Sequence, residues 1–132
     1  MQIIGIDASL VCTGYSVFSD NEVIDYGKII TCADDYVDDI ERLSYICDEL
    51  ENVIKTNHVK VVVLEDSIPA RKSRSVTQLN FLKGMIIATA RRYDVDIELI
   101  YPSRAKKLVT GNGKASKAVS YTHLTLPTSL RV

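Results

Sequence analysis

The chain has 132 residues and a formal net charge of -1, which is one domain's worth of polypeptide, enough for a core without disulfides or a structural metal. Apolar residues make up 46% and charged residues 25%, which excludes a disordered chain, a collagen and a coiled coil. No apolar run approaches the roughly 18 residues of a membrane span. The apolar start breaks at Asp7 with no basic residue before it, unlike a secretory signal.

The near-zero charge is a cancellation. Residues 1–58 carry twelve acids and three bases (Lys28, Arg42, Lys55), net -9, and residues 59–132 carry five acids and thirteen bases, net +8. Such asymmetry points to nucleic acid or another polyanion; the alternative is two solvated faces that differ by chance.

In chain order, Gln2–Asp7 (QIIGID) is a short apolar run ending in an acid, read as a buried strand. Thr13–Ser19 and Glu22–Thr31 alternate and are joined by Asp20-Asn21, so the first three strands form an antiparallel meander. Residues 33–39 are acidic and loop-like. Ile40, Leu43, Ile46, Cys47, Leu50, Val53 and Ile54 then recur at helical spacing, an amphipathic helix with an acidic outer face. Val59–Glu65 (VKVVVLE) reads as a strand covered on both faces. His58, at the loop-to-strand boundary, reads as structural. After a polar basic loop, Val76, Leu79, Leu82, Ile86, Ile87 and Ala90 mark a second helix. Gly84 inside it costs about 1 kcal/mol against Ala, so close packing is the expected reason for it. Arg91 and Arg92 offset the dipole at that helix's end. Val95–Tyr101 alternates as a further strand. Pro102-Ser103 opens a short helix through Leu108, residues 110–113 form a loop, and another helix starts at Ala115. The order βββ-α-β-α-β-α describes an α/β fold, a mixed sheet flanked by helices.

Cys12, Cys32 and Cys47 have no C-x-x-C pair and no His at ligand distance, which argues against a zinc site. They read as reduced, mostly packing residues of a cytoplasmic protein.

Asp7 and Glu65 each follow an apolar run. The ends of such central strands open onto the crevice where α/β sheets hold ligands. If the first and fourth strands are neighbours, these carboxylates meet side by side, and a cation between them relieves their repulsion. Hard oxygen ligands select Mg2+ or Mn2+. Two such ions can activate a water and stabilise the leaving oxygen of a phosphodiester. The bland alternative is that each acid merely ends a strand at the surface. Asp66 adjoins Glu65 but points to the opposite face of an extended strand. Thr13-Gly14 opens the second strand, and a small residue there lets a backbone or a phosphate approach closely.

Arg71-Lys72-Ser73-Arg74 packs three cations into four residues with no acid near, which suits phosphate contacts. As a mere solvated helix entrance it would oppose the helix dipole.

The stretch from Gly5 to Val17, G-I-D-A-S-x-x-x-T-G-Y-S-V, resembles the opening of RuvC-type Holliday-junction resolvases. VVVLE-D-S, ending the fourth strand at Glu65, is similar to that family's second acid block. Pro102-Ser103-x-x-Lys106-Lys107 through Gly111, Gly113, Ala115 and Lys117 resembles its basic stretch. The resemblance covers residues 1 to about 118. It implies an RNase H-like mixed five-stranded sheet, three strands antiparallel and two parallel. It makes Asp7 and Glu65 metal-binding catalytic acids. Lys106 would lie near the scissile phosphate as a catalytic cation. Lys106, Lys107, Lys114 and Lys117 would join Arg71, Lys72 and Arg74 in binding DNA. Ser67–Ala70 occupies the place of a loop that wedges into the junction, with Ile68 as the wedge or as a buried loop residue.

The family pattern needs a third acid on its last helix, and this sequence has no Asp or Glu after Glu98. VSYTHLTLPT looks like translated sequencing adapter joined to a truncated frame. Residues 1–118 are thus read as the nuclease domain, incomplete at its C-terminus, and 119–132 as a non-native tail, with His123 accidental. The expected function is metal-dependent cleavage of four-way DNA junctions by a homodimer with no membrane association. Two Mg2+ ions, or Mn2+, are expected in the complete protein, and activity in this chain should be impaired. The alternatives are an RNase H-like nuclease acting on structured RNA, a non-catalytic branched-DNA-binding module, and half of an actin-like or sugar-kinase ATPase. The last needs a second lobe that 132 residues cannot supply.

Overall fold

In the computed structural model, residues 1–66 and 73–101 are described. Five strands, Gln2–Asp7 (β1), Cys12–Ser19 (β2), Glu22–Ile30 (β3), Val59–Glu65 (β4) and Asp96–Ile100 (β5), form one sheet in the order β3-β2-β1-β4-β5. β1–β2 and β2–β3 pair antiparallel, while β1–β4 and β4–β5 pair parallel. This is the expected mixture of three antiparallel and two parallel strands. Two helices, Asp39–Thr56 (α1) and Arg74–Arg92 (α2), supply the crossovers.

Asp20 and Asn21 take φ of 50° and 69° between the paired Ser19 and Glu22. Positive φ at both central residues matches the turn to the twist of the strands, and Asn and Asp tolerate it best after Gly. On the same hairpin the Tyr15 ring lies across Gly27, where a Cβ would come within 2.6 Å of the phenol oxygen. Burial there pushes the Tyr15 phenol up, with Asp25 and Glu49 adding to the shift.

Side-chain alternation divides the core in two. Ile4, Ile6, Val17, Ile29, Val62 and Leu64 face the helices and meet Leu43, Ile46 and Leu50 of α1 and Leu82 and Ile86 of α2. Ile3, Phe18, Val61, Val63 and Ile100 form the smaller cluster on the other face. None of the described helices packs there. β4 is therefore apolar on both sides, as its sequence suggests.

The acidic segment expected to be a loop is irregular apart from a single 3-10 turn at Ala33–Asp35, and its end supplies the cap and first residue of α1. Asp38 accepts the Glu41 N–H at 2.8 Å and Glu41 accepts the Val37 N–H at 3.2 Å, so donors left over at the helix start are satisfied by side chains. α2 begins at Arg74, two residues before the expected Val76, with Ser73 accepting the Val76 N–H at 3.2 Å. His58 stops α1 at φ 51° and Asp94 follows α2 at φ 56°, so His58 has the structural role expected of it.

Gly84 is a correction. It is exposed on α2, and an added Cβ would meet nothing within 4 Å among the described residues, so close packing does not explain it. The cysteines are free; Cys47 is buried, Cys12 half-buried and Cys32 exposed, which removes Cys32 from the packing role. Arg91 and Arg92 end α2 as expected and also form ion pairs, to Asp96 at 3.7 Å and Glu51 at 3.6 Å. The helices expected after Pro102, and the residues read as a tail, lie outside the described residues.

Candidate metal centre and nucleic-acid interface

β1 and β4 run parallel in the middle of the sheet with Ile6 opposite Leu64. The next residue on each strand is Asp7 and Glu65. Their backbones are thus about 5 Å apart. Both side chains fall on the face of Ile3, Val61 and Val63, away from α1 and α2, because Ile6 and Leu64 face the helices. Asp7 and Glu65 are each half-buried. Across the sheet Asp7 is paired with Gly14 and Glu65 with Ile100. The Asp66 N–H donates to the Ile100 carbonyl at 2.7 Å, which ties β4 to β5 just past the acid. Asp66 itself lies just beyond the end of β4.

Among the described residues, no three His, Cys, Asp or Glu side chains come together as a metal-ligand set. Two hard carboxylates on adjacent strand ends still fit a small divalent cation, because Mg2+ keeps several waters and takes one or two carboxylates plus substrate phosphate oxygens.

The turn that leaves Asp7 is fixed from within. The buried Thr13 hydroxyl donates to the Ser9 carbonyl at 2.5 Å and accepts the Ser9 N–H at 3.2 Å. Thr31 holds the same turn from the end of β3: its N–H donates to the Val11 carbonyl at 3.0 Å and its hydroxyl donates to the Leu10 carbonyl. Arg42 of α1, only 8% exposed, donates from Nε to the Thr31 hydroxyl at 2.8 Å and from a terminal nitrogen to the Thr31 carbonyl at 3.3 Å. A groove of about 360 Å³ opens between this turn and the start of α2, with Ser9, Arg42 and Gln78 among its polar walls. Sequence reasoning left Arg42 out. The available signal was its position four residues before Ile46, on the inward stripe of the helix.

Arg74 is drawn into the fold more than its basic neighbours in sequence suggest. It pairs with Asp39 at 2.6 Å, and Gln78 donates to the same carboxylate. The two helix starts are thereby tied together, and the cation that opposes the α2 dipole is offset. Its side chain stays 82% exposed. Ile68, Arg71, Lys72, Lys106, Lys107, Lys114 and Lys117 lie outside the described residues.

A mixed sheet in this order, with carboxylates ending its two central parallel strands, defines the ribonuclease H-like class. The family model for the crossover junction endodeoxyribonuclease RuvC matches residues 3–126, and the chain belongs to that family. A RuvC from Ehrlichia ruminantium is 32% identical over 124 residues, covering 89% of this chain and 76% of the relative. One from Caldicellulosiruptor saccharolyticus is 30% identical over 122 residues, covering 89% of this chain and 72% of the relative. Among solved structures, the Thermus thermophilus RuvC in complex with a Holliday junction substrate superposes with a TM-score of 0.77 at 16% identity, covering 99% of this chain and 86% of that one. At that identity the likeness speaks for the fold.

Proposed function

We propose that this chain is an endonuclease of four-way DNA junctions that hydrolyses phosphodiesters at Asp7 and Glu65. The observation that carries the reading is the register that ends β1 and β4 on these two acids, side by side on one face. Asp7 and Glu65 hold Mg2+, with Mn2+ as the alternative, and two ions are expected when the acid set is complete. A bound divalent ion lowers the pKa of water and stabilises the charge on the leaving oxygen. The protein's own part is to fix both carboxylates on rigid central strands and to hold the turn after Asp7 through Ser9, Thr13, Thr31 and Arg42. In the reaction a water oxygen bonds to phosphorus as the water gives up a proton to solvent, the bond from phosphorus to one sugar oxygen breaks, and that oxygen takes up a proton from solvent to leave as a hydroxyl.

Lys106 is assigned to the scissile phosphate. Arg71, Lys72, Arg74, Lys107, Lys114 and Lys117 are assigned to the junction backbone, and Ile68 to the junction centre. Residues 1–118 are the proposed nuclease domain, with 119–132 outside it. A homodimer cuts two strands, and the exposed Phe81 on α2 makes that helix the candidate contact. No described helix is long and apolar enough to cross a membrane, and a DNA substrate puts the protein's work in the cytoplasm.

The test is binding and cleavage of a four-way junction, linear duplex and structured RNA, with Mg2+ and with chelator. The junction should be bound in preference. Because no acid follows Glu98, Mg2+-dependent cleavage by the 132-residue chain should be slow or absent. Asp7→Asn should abolish the divalent-ion dependence of junction binding. Preferential cutting of RNA would replace this reading with that of an RNA nuclease, and robust junction cleavage would refute the need for a third acid.

A further inference from the structure

The acidic first 58 residues contain three bases, and two of them are accounted for. Arg42 is buried against Thr31. The Lys55 ammonium lies 5.6 Å from the centroid of the Tyr93 ring. Lys28 is exposed and forms no ion pair or side-chain hydrogen bond among the described residues. The question is what the sheet places beside it.

The sheet register answers. Lys28 is paired with Gly14, and Gly14 with Asp7. Directly opposed residues share a face, so Lys28, Gly14, Asp7 and Glu65 form one row across four strands. The middle of that row is bare, since a Cβ on Gly14 would meet nothing within 4 Å among the described residues. Tyr26 and Ile30, on the same face and flanking Lys28 on β3, are 76% and 70% exposed, so the approach is open. Each pair step is about 5 Å, which puts the Lys28 and Asp7 backbones about 10 Å apart. A lysine stem of roughly 6 Å stands out from the sheet and can lean across the bare Gly14, which brings its ammonium toward a phosphate seated beside the carboxylate pair.

We propose that Lys28 is a substrate-binding residue whose ammonium holds the phosphodiester backbone of the strand seated over Gly14 against Asp7 and Glu65. This rests on the nuclease reading above and adds a phosphate contact from the acidic half. A phosphate there would be drawn by Lys28 on one side and by a cation on the carboxylates on the other. The bare glycine lets it sit close to the sheet, where any side chain would lift it away.

The test is the salt dependence of four-way-junction binding by the full chain, with Ca2+ replacing Mg2+ so that the strands stay uncut. A lysine neutralising one phosphate contributes about one unit to the slope of log affinity against log salt. Lys28→Ala should lower that slope by about one and weaken binding about tenfold at low salt. Lys28→Arg should restore both. Lys60→Ala, an exposed position at the opposite end of β4, should change neither. Gly14→Val should weaken binding while keeping the melting temperature, because the free strand has room for the side chain; should it unfold, the Lys28 variants still decide. Wild-type slope and affinity in Lys28→Ala, or equal losses in Lys28→Ala and Lys60→Ala, would overturn the proposal and leave the nuclease reading standing. Failure of the wild-type chain to bind junction DNA would overturn both.

Discussion

Replacing Arg42 with Met keeps the buried stem and removes the guanidinium that holds Thr31. Two bonds are lost, one at 2.8 Å to the hydroxyl and one at 3.3 Å to the carbonyl. A hydrogen bond to a charged group contributes about 1.5–3 kcal/mol, the longer one less. Against this, Arg42 has no carboxylate partner among the described ion pairs, so Met recovers part of the cost of burying a charge. The Thr31 hydroxyl also keeps its bond to Leu10. The net loss should be about 2–3 kcal/mol, which for a domain of this size lowers the melting temperature by roughly 10 °C. Urea unfolding of Arg42→Met, Thr31→Val and the double variant gives the coupling between them, expected at about 1 kcal/mol or more. An Arg42→Met chain within about 0.5 kcal/mol of wild type, or a coupling near zero, would mean that Ser9, Thr13 and Thr31 hold the turn after Asp7 without help from Arg42.

Two other expectations follow from single residues. Gly84→Ala should stabilise the chain by about 1 kcal/mol in urea unfolding, since the position is helical, exposed and open; a loss would mean that a contact outside the described residues needs the glycine. Burial pushes the Cys47 thiol up from 9.0 to about 11, with Asp48 and Glu51 adding to it and Arg92 opposing. The unfolded thiol then ionises first, so this group's contribution to stability is level below pH 9, falls as the pH rises through the window from 9 to about 11, and levels again above it. Cys47→Ala should show a shallower alkaline loss in melting curves, and an unchanged slope would exclude the thiol as its source.

The order of elements was legible because each strand and helix carries its own periodicity. β1 and β4 are nearly continuous apolar runs, α1 and α2 repeat every three to four residues, and Asp20-Asn21 suits a two-residue turn. Boundaries were less legible where side-chain capping decides them. Asp38 and Glu41 resemble any acidic loop until the backbone N–H groups they cap are in place. Gly84 misled because a glycine in a helix has the same sequence signature whether or not a neighbour needs the space.

The two acid-terminated apolar runs already named Asp7 and Glu65, because a central strand ending in a carboxylate is a local pattern. Their adjacency is not local. It follows from the parallel pairing of strands more than fifty residues apart in sequence, as the tie from Arg74 to Asp39 follows from the packing of α1 against α2. The row that joins Lys28 to Asp7 across a bare Gly14 likewise depends on strand register. A sequence specifies which side chains are available and how each segment folds. Which of them share a face and a distance is set by hydrogen-bonded register and helix packing, and there Lys28, one of three bases in the acidic half, comes to stand in line with the acids.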